Sequence, residues 1–99
     1  MAKARATEAK TIKLGRDLRV ASAAATFAAL RKAAESADAR VALDGRQIEK
    51  VDAAGLQALH AGRVLLAGAG KSVAWTGCSP QLASAAGLLG LADLLELPK

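Results

Sequence analysis

Apolar and polar residues alternate at the beginning of the chain in the pattern of short strands. The alternation covers residues 11–14 and returns over residues 17–20, which is the period of a half-buried strand. Gly15 and Arg16 separate the two runs, an arrangement compatible with a hairpin. The first elements are therefore predicted to be two strands.

Three later segments have the apolar spacing of amphipathic helices. The first, residues 22–36, begins with Ser22, which can serve as its N-cap. The second begins at Asp52 and ends near residue 68, before a Gly-Ala-Gly sequence that tolerates the backbone conformations of helix ends. The third follows a Ser-Pro sequence at 79–80, a cap residue and a proline in the order that helix starts prefer.

Two further strands are predicted between these helices, at residues 39–44 and 72–76, and residues 45–51 are predicted to be a loop. The element order is then β-β-α-β-α-β-α. Strands that alternate with helices are typical of an α/β fold with a partly parallel sheet covered by helices. We therefore predict the α/β class, with a flexible basic arm at residues 1–9 and a single domain at residues 10–99.

The net charge of +5 says something about partners only when the positions of the charged residues along the chain are considered. The first 20 residues hold six basic residues against two acidic ones, so the remaining 79 are nearly balanced. Aromatic residues make up 2% of the chain, and no recognition-helix motif is present, so we expect no nucleic acid partner. No apolar run approaches the roughly 20 residues of a membrane span. We expect a cytoplasmic protein that meets a membrane only indirectly.

The chain offers little for catalysis or for metal binding. Residues 70–72, Gly-Lys-Ser, resemble the end of a P-loop, but Leu65 stands where a glycine is required and the strand-to-helix order is reversed. His60, the only histidine, either packs on its helix or marks with Arg63 a face that a partner covers. Cys78 lies near a helix start, which can lower the pKa of a thiol, but no second cysteine can resolve it. We expect no enzyme activity, metal or cofactor.

Residues 51–56, Val-Asp-Ala-Ala-Gly-Leu, resemble the loop-to-helix signature of STAS domains, the family of the bacterial anti-sigma-factor antagonists. The typical string there is Asp-Ser-Ser-Gly-Leu, and a kinase phosphorylates the serine before the glycine. In this chain that position is Ala54, and its neighbour is Ala53. The chain thus resembles the scaffold of a phosphorylation switch, but it lacks the hydroxyl that is phosphorylated.

Two more segments carry the resemblance. One is Val-Ala-Leu-Asp-Gly at residues 41–45, and the other is a strand, a Ser-Pro sequence and a helix closing in Gly-Leu, within residues 75–91. Together the matches extend over roughly residues 10–97. They imply the fold of the family, a mixed β-sheet packed against helices.

The resemblance implies a non-enzymatic protein-binding module. The contact surface would be the start and exposed face of the second helix, together with the loop at residues 45–50. The candidate contact residues are Asp52, Ala53, Ala54, Gly55, Gln57, His60 and Arg63. Asp52 can also cap its helix, and the positive end of the helix dipole there suits an anion. Because Ala53 and Ala54 have no hydroxyl, we expect constitutive binding.

Two classes of partner remain open at this point. One is an anti-sigma factor or a related histidine-kinase-like ATPase in a signalling system. The other is the ATPase or permease of an ABC transporter, since small STAS proteins also serve as cytoplasmic subunits of a transporter that maintains outer-membrane lipid asymmetry. The transporter subunits are similar to this chain in size and often lack the phosphoserine.

Overall fold

A computed structural model describes residues 9–98 of the chain, which fold as alternating strands and helices. In chain order the elements are β1 (Ala9–Lys13), β2 (Asp17–Leu18), α1 (Val20–Glu35), β3 (Arg40–Gly45), β4 (Lys50–Val51), α2 (Ala53–Gly68), β5 (Ser72–Cys78), α3 (Pro80–Leu88) and α4 (Ala92–Leu95). The predicted basic arm lies outside the described residues, except for Ala9, which begins β1.

The main sheet has the strand order β1-β3-β5, and both pairings are parallel. The strands β2 and β4 form a separate parallel pair. The predicted α/β class is confirmed, but the hairpin is wrong, because β1 and β2 pair with different partners. Gly15, at φ 76°, stands between them and lets the chain turn from one sheet to the other, so that Leu14 and Leu18 are both buried.

The helices cover one face of the main sheet, and the hydrophobic core lies between the helices and that face. Its largest fully buried side chains are aliphatic: Leu18, Leu30, Leu43, Ile48, Leu56, Leu59, Leu66, Leu82, Leu95 and Val41. The opposite face of the sheet is more open, and Thr11 and Ala74 are exposed there, on β1 and β5. Both side chains lie in one row across the sheet, through Ala42 of β3.

Two local predictions need correction. The first helix begins at Val20, and its N-cap residue is Arg19, whose side chain makes no capping bond, so Ser22 is not the cap. The segment from residue 45 to residue 51 is not simply a loop, because β3 extends to Gly45 and β4 follows at Lys50. Between them, Ile48 is completely buried, which holds this segment against the core.

The helices α1 and α2 pack against each other closely because a glycine lies at their contact. A Cβ atom on Gly62 of α2 would come 2.3 Å from Cδ1 of Leu30 on α1. The absence of a side chain therefore brings the two backbones together, and this compensates for the small volume of the many alanines.

The end of the chain closes the core beside β5. Leu95 and Leu97 are buried, and the indole N–H of Trp75 donates a hydrogen bond to the Leu95 carbonyl oxygen at 2.9 Å. The four residues of α4 thus fix the C-terminal segment to the edge of the main sheet.

Candidate functional site

The carboxylate of Asp52 caps two helices at once. Its Oδ1 accepts a hydrogen bond from the N–H of Gly55 at 2.8 Å, so Asp52 is the N-cap of α2, as predicted. Its Oδ2 accepts from the N–H of Val20 at 2.9 Å, the first residue of α1 and 32 positions earlier in the chain. Asp52 therefore supplies the side-chain cap that Arg19 does not give to α1.

Gly55 makes this arrangement sterically possible. A Cβ atom at this position would stand 2.0 Å from the carbonyl oxygen of Leu18 and 2.5 Å from its carbonyl carbon. At the same corner the backbone N–H of Asp52 donates to that Leu18 oxygen at 3.2 Å. The glycine of the STAS-like string thus allows the start of α2 to lie close to the backbone that leads into α1.

The positive end of the α2 dipole already holds an anion, the carboxylate of Asp52. The hydrogen bonds from Gly55 and then Val20 lower the pKa of Asp52, and desolvation opposes them. The corner that the sequence predicted to suit an anion is therefore occupied by a group of the chain itself.

The other candidate residues at the start of α2 differ in their exposure. Ala53 and Gln57 are exposed, whereas Ala54 is half-buried. The position that matches the phosphoserine of the family thus carries a methyl group at the rim of the Asp52 corner. Of these three residues, Ala53 and Gln57 offer an open surface to a partner.

His60 and Arg63 lie further along α2, beside the C-terminal segment. The Arg63 side chain is only 11% exposed, and its guanidinium donates to the Leu94 carbonyl oxygen at 2.8 Å and to Oε1 of Glu96 at 2.9 Å. His60 is half-buried, and its Nδ1 and the Nε of Arg63 are buried without a hydrogen-bond partner among the described residues. The structure therefore separates these two residues from Asp52 and Gly55 and engages Arg63 within the chain.

The segment from residue 45 to residue 50 is held by an ion pair at the end of β3. The Asp44 carboxylate accepts from Nε of Arg46 at 3.0 Å, from a terminal guanidinium nitrogen at 3.1 Å and from the Arg46 backbone N–H at 3.1 Å. The Arg46 side-chain bonds, followed by its backbone bond, lower the pKa of Asp44 to about 2. This segment consequently presents a fixed backbone to the surface.

A groove that the sequence did not indicate lies beside this segment, between β4 and α3. Its lining residues lie on these two elements or, for Glu49, directly before β4: Glu49, Val51, Pro80, Gln81, Ser84, Ala85 and Leu88. Leu88 is 86% exposed. The one signal in the sequence was its position, since helical spacing places Leu88 on the side of α3 opposite to the buried Leu82 and Ala86. Because Val51 immediately precedes Asp52, the groove adjoins the start of α2.

The remaining chemistry-bearing residue, Cys78, is half-buried at the end of β5. Burial raises the pKa of its thiol, the opposite of the effect that a nearby helix start can have. Within residues 9–98, no group of three or more His, Cys, Asp or Glu side chains is placed to hold a metal ion. In the same part of the chain, no helix is both long and apolar enough to span a membrane.

Comparisons with known proteins relate this architecture to one family. A family model described as "Mlab, STAS domain" matches residues 1–96. Among solved structures, the crystal structure of a sulfate transporter family protein from Wolinella succinogenes is similar, with a TM-score of 0.73 and 20% identity, over 88% of this chain and 70% of that one. A search of curated proteins gives no match. The family match extends over nearly the whole sequence, and the chain belongs to the STAS domain family.

Proposed function

We propose that this protein is a non-enzymatic STAS module that binds another protein constitutively. The binding surface is the groove between β4 and α3 together with the exposed start of α2, Ala53 and Gln57. The observation that carries the proposal is the exposure of Leu88 on the wall of this groove. A leucine that is 86% exposed beside Val51, Ala85 and Pro80 forms an apolar strip suited to a partner's side chains.

The rigidity of this surface supports binding without a switch. The ion pair of Asp44 and Arg46, the buried Ile48 and the double cap at Asp52 fix its borders. A pre-organised surface has less conformational freedom to lose on association. Ala53 and Ala54 provide no hydroxyl for a kinase, so in this proposal binding is controlled by the amounts of the two proteins.

The first candidate partner is an anti-sigma factor or another histidine-kinase-like ATPase, as in the antagonist branch of the family. The start of α2 is where those relatives carry their phosphoserine. In this chain the same corner keeps the aspartate and the glycine, so the shape that such a partner would meet is retained.

The second candidate is the ATPase or permease of an ABC transporter for phospholipids, to which this chain would be a cytoplasmic accessory subunit. Two observations favour a transporter over a signalling partner: the family model is described as "Mlab, STAS domain", and the similar crystal structure is that of a sulfate transporter family protein. The missing phosphoacceptor is also compatible with a subunit that stays bound.

Affinity purification of the tagged full chain from its native cells, from both membrane and supernatant fractions, tests both candidates. Recovery of a histidine-kinase-like ATPase supports the first partner, and recovery of an ABC ATPase or permease supports the second. The variant Leu88→Ser should reduce capture of the partner at least about tenfold, because it removes an apolar side chain from the groove.

Leu89→Ser is the matched control. Leu89 is the next residue and partly exposed, but it does not line the groove, so its variant should capture the partner as the wild type does. Equal capture by Leu88→Ser and wild type would place the interface elsewhere. The intact mass of the purified protein tests the constitutive state, and a stoichiometric phosphate on any serine or threonine would contradict it.

A further inference from the structure

A cavity of about 370 Å³ lies between α1 and the segment that leads from the end of β1 into β2. Ile12 and Leu14, each 9% exposed, give it an apolar lining on the strand side. On α1 the lining positions include Ala25 and Ala29, whose short side chains leave the space unfilled. Cavities of about 300 Å³ or more are large enough for small ligands.

The hydroxyl of Thr26, on α1, opens into this cavity. Thr26 is only 8% exposed, and its hydroxyl makes no hydrogen bond with any described residue. It is nevertheless not one of the side-chain atoms in residues 9–98 that are sealed from solvent without a partner. The small accessible area of the hydroxyl must therefore face the cavity that Thr26 lines. A nearly buried polar group without a partner is available to hydrogen-bond a molecule that enters.

Ser22 adds a second hydroxyl to the same wall of the cavity. Because Ser22 does not cap α1, its side chain is free of hydrogen bonds within the described part of the chain. Residues at positions i and i+4 of a helix are neighbours, with Cβ atoms about 5–6 Å apart. The hydroxyls of Ser22 and Thr26 can therefore bond to the same group of a ligand.

The charged residues that line the cavity leave it positive. The carboxylate of Asp17 already accepts two hydrogen bonds from Arg19. Arg16 forms only a long ion pair with Glu49, at 4.0 Å and between largely exposed side chains, which contributes little. The Arg16 guanidinium is therefore available to an anion. Lys13, which also lines the cavity, adds a second positive charge nearby.

We propose that this cavity binds a small organic phosphate monoester. Its apolar group lies against Ile12 and Leu14, and its phosphate lies between Arg16 and the hydroxyls of Ser22 and Thr26. The fork of an arginine and two hydroxyl donors suit phosphate oxygens. Two nearby positive charges match the charge of about −1.5 to −2 that such a phosphate carries near neutral pH. None of the lining residues belongs to the groove between β4 and α3, so this inference does not depend on the proposed function.

Titration of the full chain with phenyl phosphate, followed by amide NMR signals, tests the site. The signals of residues 14–17 and 22–29 should shift saturably, while those of α3 stay in place. Thr26→Val keeps the size of the side chain and removes the hydroxyl, so it should weaken binding about tenfold. Ala29→Leu should fill the cavity and abolish binding. Ala28→Leu is the matched control, since Ala28 is also exposed on α1 but does not line the cavity.

Two further ligands test the chemistry of the site. Inorganic phosphate lacks the apolar group, and benzoate carries less charge, so both should bind more weakly than phenyl phosphate. Equal binding of either one overturns the assignment of a phosphate monoester. The proposal is also wrong if phenyl phosphate does not bind, if it shifts only signals elsewhere, or if it binds Thr26→Val and Ala29→Leu as it binds the wild type.

A phosphate monoester can come from a soluble metabolite or from the headgroup of phosphatidic acid, and flotation with vesicles separates these sources. Phosphatidylcholine vesicles with and without phosphatidic acid are compared. Six basic residues among the first 20 can attract any anionic surface, so the two leucine variants carry the result. Binding to phosphatidic acid that is lost in Ala29→Leu and kept in Ala28→Leu supports the lipid headgroup. With phenyl phosphate bound, equal flotation of both variants supports a soluble ester.

Discussion

Replacing Gly55 with alanine should destabilise the fold through a single methyl group. The added Cβ would lie 2.0 Å from the Leu18 oxygen, whereas real Cβ contacts essentially never fall below 3.0 Å. The start of α2 must therefore move by about 1 Å, because the obstacle is backbone and cannot rotate away. That movement pulls Asp52 away from the Leu18 oxygen and from the Val20 N–H, which it contacts at 3.2 and 2.9 Å.

The size of this loss of stability can be worked out by comparison with a second glycine in the same helix. Overpacking of this kind costs about 1–3 kcal/mol. Gly68→Ala, at the other end of α2, meets nothing within 4 Å. Replacing a helical glycine by alanine favours both variants by up to about 1 kcal/mol. This gain largely cancels in the comparison, so Gly55→Ala should be less stable than Gly68→Ala by about 1–3 kcal/mol.

Urea unfolding, followed by far-ultraviolet circular dichroism and by Trp75 fluorescence, measures the difference. For a chain of this size, about 1 kcal/mol corresponds to roughly 4–8 °C in Tm, so thermal unfolding gives a second readout. If Gly55→Ala and Gly68→Ala unfold at the same urea concentration, the close contact at Leu18 is not a requirement of the fold.

The remaining predictions concern polar contacts. Because the pKa of Asp44 is about 2 in the fold and 3.8 in a free chain, its pairing with Arg46 should stabilise the fold fully above pH 3.8 and progressively less as the pH falls through 2. The urea midpoints of wild type and Asp44→Asn should therefore converge in acid. Arg63→Met should cost about 1–2 kcal/mol and speed amide hydrogen exchange near Glu96, while exchange in β3 stays unchanged. The Cys78 thiol should react with iodoacetamide more slowly than a peptide thiol at neutral pH; equal rates would contradict its raised pKa.

The periodicity of the sequence was sufficient to predict the long elements. The α2 helix with its Asp52 cap, and the α3 helix with its Ser79 cap and Pro80, follow from local rules that tertiary contacts did not override. The hairpin failed for the opposite reason. Pairing partners of short strands depend on long-range contacts, and the pattern at residues 11–20 contains no information about β3 or β4.

The candidate site was only partly predictable. Local spacing indicates that Asp52 caps its own helix, but nothing in the sequence near it reveals the bond to Val20, which is 32 residues away. The Leu88 groove escaped detection because it is formed between two elements. Helical periodicity identifies which residues of α3 face the core, but it does not show what stands next to the residues that face outward.

The double cap at Asp52 has a consequence for how this surface could be made responsive. The variant Ala54→Ser would restore the hydroxyl beside the carboxylate. A phosphate there would bring a charge of about −1.5 to −2 next to a carboxylate that already uses both oxygens, and would repel it. Since that carboxylate joins the starts of α1 and α2, the repulsion would be felt by both helices. Phosphorylation of one engineered hydroxyl on α2 would thus also disturb α1, through the hydrogen bond between Asp52 and Val20. The unmodified chain uses that bond only for its stability.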